Sequence, residues 1–186
     1  IPESFTYLGN LYSFMYDSEN AFETYRKGIT SHPGNYYCLL YMGIEYAKVN
    51  QTSKSIEYMM EALRINDTNP FLYNEIGFLY YNLNDYDKAI SFINKGLYIC
   101  DTELKEEYYS LLLNKANTLR KLNMINDALI LFNEVLEFKN ESFEALSSIG
   151  FIYYIKKEYM IAVDYLHKAN FINSKKLFLY LIILDL

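Results

Sequence analysis

Small residues recur at one fixed stride along this 186-residue chain. Gly9, Gly43 and Gly77 are each separated by 34 residues, as are Ala116 and Gly150, with five extra residues inserted between Gly77 and Ala116. Taking these as the eighth position of a unit brings other columns into line. The eleventh reads Tyr12, Tyr46, Tyr80, Leu119 and Tyr153; the twentieth Ala21, Ser55, Ala89, Ala128 and Ala162. The twenty-fourth reads Tyr25, Met59, Ile93, Phe132 and Leu166, and the twenty-seventh Gly28, Ala62, Gly96, Val135 and Ala169. Self-similarity at such a period marks a stack of small structural units.

Each unit reads as helix-turn-helix. Its fourth, seventh, eighth and eleventh positions are mostly apolar or small at helical spacing, and its twentieth, twenty-fourth and twenty-seventh form a second helical stripe. Between the stripes lie turn-prone residues, including Asn84-Asp85, Asn123 and Asn126-Asp127. So short a link makes the two helices antiparallel neighbours. Gly or Ala at the eighth and twentieth positions lets their backbones approach closely. Asn69 before Pro70 reads as a cap followed by a proline in a first turn, where the missing N–H costs nothing.

The pattern resembles the tetratricopeptide repeat family, whose signature places a large apolar residue fourth, then Leu-Gly, Tyr, Ala, Phe, Ala and Pro. The repeats would be residues 2–35, 36–69, 70–103, 109–142 and 143–176. The fourth position holds Phe5, Leu39, Tyr73, Leu112 and Leu146 instead of Trp; Lys115 takes a normally apolar place, and the closing Pro appears only as Pro33. The resemblance implies an all-α fold: an α-solenoid, a right-handed superhelix of about five repeats plus a C-terminal half-repeat. Residues 177–186 (Leu-Phe-Leu-Tyr-Leu-Ile-Ile-Leu-Asp-Leu) read in register as the first helix of a sixth repeat cut short, either capping the fifth or docking on a neighbour. An opening of Ile1-Pro2 without Met or a basic leader reads as a piece of a longer chain.

Composition narrows the chemistry. A net charge of −6 argues against a nucleic-acid partner. The longest apolar run, Leu177–Leu184, is far too short to cross a bilayer. Two cysteines, Cys38 and Cys100, suggest a reducing compartment, with Cys38 read as a small core residue. His32 and His167 have no Cys or His at ligand spacing, and no glycine-rich phosphate loop is present, so no metal, cofactor or catalytic centre is expected. Glu106-Glu107 and Lys156-Lys157-Glu158 read as solvated charge in a link and a turn.

In each first helix the second, fifth, ninth and twelfth positions form a further stripe, about 130° around the helix from the core stripe at ~100° per residue. In the family this stripe lines the concave groove. Its candidate partner-binding residues are Tyr37, Leu40 and Ile44; Phe71, Asn74, Phe78 and Tyr81; Leu113, Asn117 and Arg120 with the adjacent Asn114; and Ser147, Phe151 and Tyr154. Aromatics bury area, while Asn amides both donate to and accept from a peptide backbone, so the surface suits an extended peptide. An aromatic stripe also suits a core, and Tyr12, Tyr46, Tyr80 and Tyr153 fall in core register. A two-carboxylate clamp of the chaperone-binding members is missing its cations here: the matching pairs are Thr6 with Asn10, Leu40 with Ile44 and Asn74 with Phe78.

A closer resemblance rests on Gly43-Ile44-Glu45-Tyr46, on Asp67-Thr68-Asn69-Pro70-Phe71 and on Asn74-Glu75-Ile76-Gly77. Leu111-Leu112-Leu113-Asn114 with Leu119-Arg120-Lys121-Leu122, and Ser148-Ile149-Gly150-Phe151-Ile152 with His167-Lys168-Ala169, add to it. These are similar to the C-terminal repeats of the anaphase-promoting complex subunit 6 family, the cell-division-cycle-sixteen type. What that implies is a non-catalytic scaffold of a mitotic ubiquitin ligase in nucleus and cytoplasm. Its groove would enclose an extended segment of a small subunit of the cell-division-cycle-twenty-six type, beside neighbouring subunits of the complex. Two alternatives stay open: a generic peptide-binding adaptor of the same fold, and the repeat domain of a larger enzyme such as an O-linked sugar transferase. The Asn ladder of the latter is interrupted here by Ile44, Phe78 and Phe151.

Overall fold

The computed structural model describes residues 2–101 and 105–174, and the expected half-repeat at 177–186 lies outside them. The described residues form ten α-helices and no strand. These are α1 (Pro2–Phe14), α2 (Ser18–Ser31), α3 (Tyr36–Lys48), α4 (Thr52–Ile65), α5 (Pro70–Asn82), α6 (Tyr86–Ile99), α7 (Lys105–Lys121), α8 (Ile125–Phe138), α9 (Phe143–Ile155) and α10 (Tyr159–Ile172). Each odd-numbered helix packs most extensively on the even-numbered helix that follows it, and each even-numbered helix leans on the next pair. First helices also touch one another, α1 to α3, α5 to α7 and α7 to α9, while α3 and α5 share the cluster of Leu39, Leu40, Leu72 and Ile76, so that the five lie in one layer. The architecture is an α-solenoid.

The helices begin and end where local chemistry dictates. Asn35, Asn69 and Ser142 cap α3, α5 and α9 by accepting from the backbone N–H of Cys38, Phe71 and Ala145. Asp17 and Asp85 do the same for α2 and α6. The turn inside every pair has one geometry. Tyr16, Asn50, Asn84, Asn123 and Lys157 all adopt positive φ, between 58° and 62°. The next N–H then reaches back to the eleventh-position carbonyl: Asp17 to Tyr12, Gln51 to Tyr46, Asp85 to Tyr80, Met124 to Leu119 and Glu158 to Tyr153, at 2.9–3.0 Å. Asn adopts this left-handed backbone readily, whereas in Tyr16 and Lys157 it is strained. Asn126-Asp127, expected in the turn, instead lie in the first turn of α8. Likewise the inserted residues partly lengthen α7, and Glu106-Glu107 fall in its first turn, where carboxylates favour the helix dipole.

The core follows the stride. A Cβ added to Gly9 would lie 2.3 Å from the Tyr25 ring, on Gly43 2.6 Å from Met59 Cγ, on Gly77 2.6 Å from Ile93 Cγ1 and on Gly150 2.8 Å from Leu166 Cγ. In four repeats, therefore, the twenty-fourth side chain fills the space that the eighth leaves open. Ser55, at the twentieth position, donates to the Gly43 carbonyl at 2.7 Å. Cys38 and Ala62 are fully buried, the former as expected of a small core residue. The eleventh-position tyrosines Tyr12, Tyr46, Tyr80 and Tyr153 pack against the core clusters as their register predicts, but from the edge, where they are half-buried. Three of them also stack sideways: Tyr46 on Tyr58, Tyr80 on Phe92 and Tyr153 on Tyr165, with Lys54, Lys88 and Lys156 over their rings.

Two outcomes follow from this geometry. Gly77→Ala gains up to about 1 kcal/mol of helix propensity but overpacks Ile93 at a cost of about 1–3 kcal/mol, so it lowers the urea midpoint. Gly34→Ala, where an added Cβ meets nothing within 4 Å and φ is not positive, leaves stability equal or raises it. Replacing Lys157 or the exposed Tyr16 by Gly relieves a left-handed residue and raises stability by about 0.5–1 kcal/mol each, read as an upward shift in melting temperature.

Candidate peptide-binding face

The layer of first helices presents the second, ninth and twelfth positions outward. Tyr37 (56% exposed), Phe71 (38%), Phe78 (42%) and Tyr154 (42%) carry apolar area to solvent. Ile44, Tyr81, Leu113, Asn114, Asn117, Arg120 and Phe151 are half-buried beside them. Phe78 and Tyr81 stack with centroids 6.4 Å apart, and the Arg120 guanidinium lies 5.9 Å from the centroid of the Phe151 ring.

The fifth position behaves differently from the stripe to which the sequence assigned it. Thr6, Leu40, Asn74 and Ser147 are buried, and Leu113 of the fourth repeat is half-buried. This is the seam between neighbouring first helices. Thr6 Oγ1 sits 3.4 Å from Cys38 Sγ, and Asn114 Nδ2 donates to Asn74 Oδ1 at 2.9 Å. Leu40 belongs to the cluster of Leu39, Met59, Leu72 and Ile76, and Ser147 donates to the Phe143 carbonyl at 2.7 Å within its own helix. Leu40 and Ser147 are therefore buried within the layer rather than exposed on its outward face. The cause is geometric: at 100° per residue, the fifth position points between the outward face and the adjacent first helix.

Three clefts open along the layer. One of about 310 Å³ is lined by Glu3, Thr6, Tyr7, Asn10, Tyr37 and Tyr41, and one of about 250 Å³ continues past Tyr41, Ile44, Glu45 and Lys48. A third, of about 230 Å³, lies between α5 and α7 against Phe71, Asn74, Glu75, Glu106, Glu107 and Ser110. Burial pushes the Glu75 carboxyl above its ordinary range. Asn10 accepts from the Tyr25 hydroxyl at 2.7 Å, so its carbonyl oxygen already has a partner. Tyr7, Tyr41 and Glu75, all at the sixth position, were missed by the stripe. Tyrosine at that position in both of the first two repeats was the available signal.

Glu45 is the one charged side chain among the buried polar residues, at 1% exposure. It joins the first two repeats. Ser13 donates to Oε2 at 2.6 Å, Ser18 donates to Oε1, and the half-exposed Lys48 lies 3.1 Å from Oε2 and also bonds Ser13. Burial alone would raise its pKa, but the hydrogen bonds from Ser13, Ser18 and Lys48 together outweigh that and hold it below the ordinary value.

Comparison with known proteins agrees with this geometry. Residues 72–102 match the tetratricopeptide repeat model. The third helix pair is thus similar to a tetratricopeptide repeat. Anaphase-promoting complex subunit 6 of Arabidopsis thaliana is 26% identical over 148 residues, 80% of this chain and 27% of the relative. The anaphase-promoting complex subunit CDC16 of Saccharomyces cerevisiae is 27% identical over 164 residues, 87% of this chain and 20% of the relative. The chain thus spans about a quarter of the length of these relatives. Among solved structures, the APC/C hetero-tetramer Cut9–Hcn1 matches with a TM-score of 0.79 at 18% identity, over 94% of this chain and 34% of that one. YrrB, a TPR protein with an unusual peptide-binding site, matches with a TM-score of 0.73 at 21% identity, over 95% of this chain and 89% of that one. These solved structures share the solenoid fold.

The Glu45 carboxyl is lowered, so its contribution to stability is complete above the ordinary carboxylate value near 4.5 and is lost as pH falls through the folded value. Glu45→Gln is expected to cost about 1–3 kcal/mol at pH 7 through weakened hydrogen bonds in a buried site. Urea titrations at successive pH values check this: the gap between wild type and variant narrows as pH drops below 4.5.

Proposed function

We propose that the chain is a non-catalytic scaffold of the anaphase-promoting complex, whose first-helix face holds an extended segment of a small partner subunit of the cell-division-cycle-twenty-six type. Similarity to two subunits of that complex over 80% and 87% of the chain carries the reading. The face fits the role physically. Tyr37, Phe71, Phe78 and Tyr154 offer apolar area to alternate side chains, and Asn117, half-buried on the same face, can bond a peptide backbone. The working place would be nucleus and cytoplasm, alongside neighbouring subunits. The peptide-binding adaptor reading is favoured separately by the likeness to YrrB, itself a peptide-binding TPR protein.

Thermal melting with and without a synthetic peptide of the small subunit's N-terminal segment tests the proposal. A ligand at 100 times its Kd stabilises the folded state by about 2.7 kcal/mol, a rise of roughly 5–10 °C for a chain of this size. The rise is expected for wild type and lost after Phe78→Ala with Asn117→Ala. An absent shift in wild type, or an equal shift in the double variant, refutes it.

A further inference from the structure

We propose that the cleft between α5 and α7 seats a basic side chain, Lys or Arg, of the bound segment and so fixes that segment's register along the face. The inference rests on the peptide-binding reading and adds the chemistry of one residue of the occupant. The cleft is open to solvent, holds about 230 Å³, and has Glu75, Glu106 and Glu107 among its lining residues but no Lys or Arg. The ion pairs among the described residues leave all three glutamates out. Glu106 and Glu107 have a local reason to be where they are, since carboxylates in the first turn of α7 favour its dipole. Glu75 has no such reason. It lies inside α5, and burial, which raises its carboxyl, is the one influence acting on it among the described residues. Glu45 shows the opposite case, a buried carboxylate held low by Ser13, Ser18 and Lys48. A cation entering the cleft would do for Glu75 what those groups do for Glu45.

A second observation points to an occupant independently of charge. Asn74 is only 8% exposed and lines the same cleft. Its Oδ1 accepts from Asn114 across the seam, while its Nδ2 donates to no described residue. Among the described residues the one unmatched side-chain atom that is closed off from solvent is Arg120 Nε, so Asn74 Nδ2 remains within reach of a group in the cleft. A largely buried amide donor without an acceptor is unfavourable. A main-chain carbonyl of the occupant supplies that acceptor, and it arrives with the same residue whose side chain the glutamates attract. Phe71, 38% exposed, adds an apolar wall along which the methylene stem of Lys or Arg can pack with its charged head on the carboxylates. The glutamates do not make a metal site, since among the described residues no group of three or more His, Cys, Asp or Glu could hold an ion. Phe71 and Ser110 are second-position residues, so the cleft opens on the proposed binding face itself.

Fluorescein-labelled twelve-residue peptides, selected from a random library for binding to the chain and for sensitivity to Phe78→Ala, supply the probe. Expected is a Lys or Arg at one fixed place in the selected set. Replacing it by uncharged norleucine or citrulline should weaken binding about tenfold or more to wild type, and less than about twofold to a variant carrying Glu75→Gln with Glu107→Gln. Independently of any variant's folding, the Glu75 side-chain carboxyl resonance of wild type should move on adding the basic peptide and stay in place with the uncharged one. Phe78-dependent binders without a basic preference, or with one that survives the double substitution, would overturn the inference and leave the peptide-binding reading standing. A library that yields no Phe78-dependent binder would overturn that reading and this inference together.

Discussion

Everything in the solenoid depends on one contact repeated along it: the side chain at the twenty-fourth position of each pair fills the space beside the eighth. Tyr25, Met59, Ile93 and Leu166 do so against Gly9, Gly43, Gly77 and Gly150. The fourth repeat uses Ala116, fully buried, with Phe132 in the same cluster. The knobs differ widely in shape, but the missing Cβ is nearly constant. Interiors pack to crystal-like density, so this absence sets the distance between the two helices more firmly than any particular knob does. A constant distance within each pair makes each pair a similar block, and similar blocks stack at a similar offset. The continuous layer of first helices results from that regularity.

The same regularity explains what could be read before any coordinates. Spacing encodes the helix pairs because the close approach demands a small residue at every stride. Pro70 and Asn69 could be read because capping chemistry is local. The sideways stacking of Tyr46, Tyr80 and Tyr153 could not, because it depends on an aromatic twelve residues later in the same repeat and on a lysine above the ring. The left-handed turn residue could be read from Asn84 and Asn123 but not from Tyr16 or Lys157, whose side chains contradict the backbone they adopt. In those two repeats the pairing of helices overrides local preference, as tertiary context commonly does.

At the candidate site, the limit of legibility is a matter of angle. A stripe drawn on a single helix divides its circumference into core and groove. A solenoid adds a third sector, the seam toward the next first helix, and the fifth position falls in it. Leu40, Asn74 and Ser147 look like groove residues on a helical wheel and are buried once a neighbour is present. The polar members show how the seam is satisfied: Asn74 with Asn114, and Thr6 with Cys38, bond across it. The sixth position turns outward at the clefts instead, which is why Tyr7 and Tyr41 line the first of them.

Core, seam and turn together consume most of the positions in each first helix, so the second, ninth and twelfth are largely left over from the folding problem, Asn10 and Ser13 in the first repeat excepted. Their chemistry varies from repeat to repeat while the columns around them hold steady. The second position runs Glu3, Tyr37, Phe71, Ser110 and Glu144; the twelfth runs Ser13, Ala47, Tyr81, Arg120 and Tyr154. Variation confined to outward columns gives each repeat its own contact without disturbing the spacing. A surface assembled in this way discriminates by order along its length, since a bound segment must match a succession of different sites at a fixed pitch. Glu45 shows the converse. It stands at a tenth position whose counterparts in the last three repeats, Leu79, Thr118 and Ile152, are uncharged and buried, and its charge is tolerated because Ser13, Ser18 and Lys48 surround it. Here the scaffold admits a buried charge and a set of partners comes with it, in contrast to the buried Nε of Arg120, which has none among the described residues.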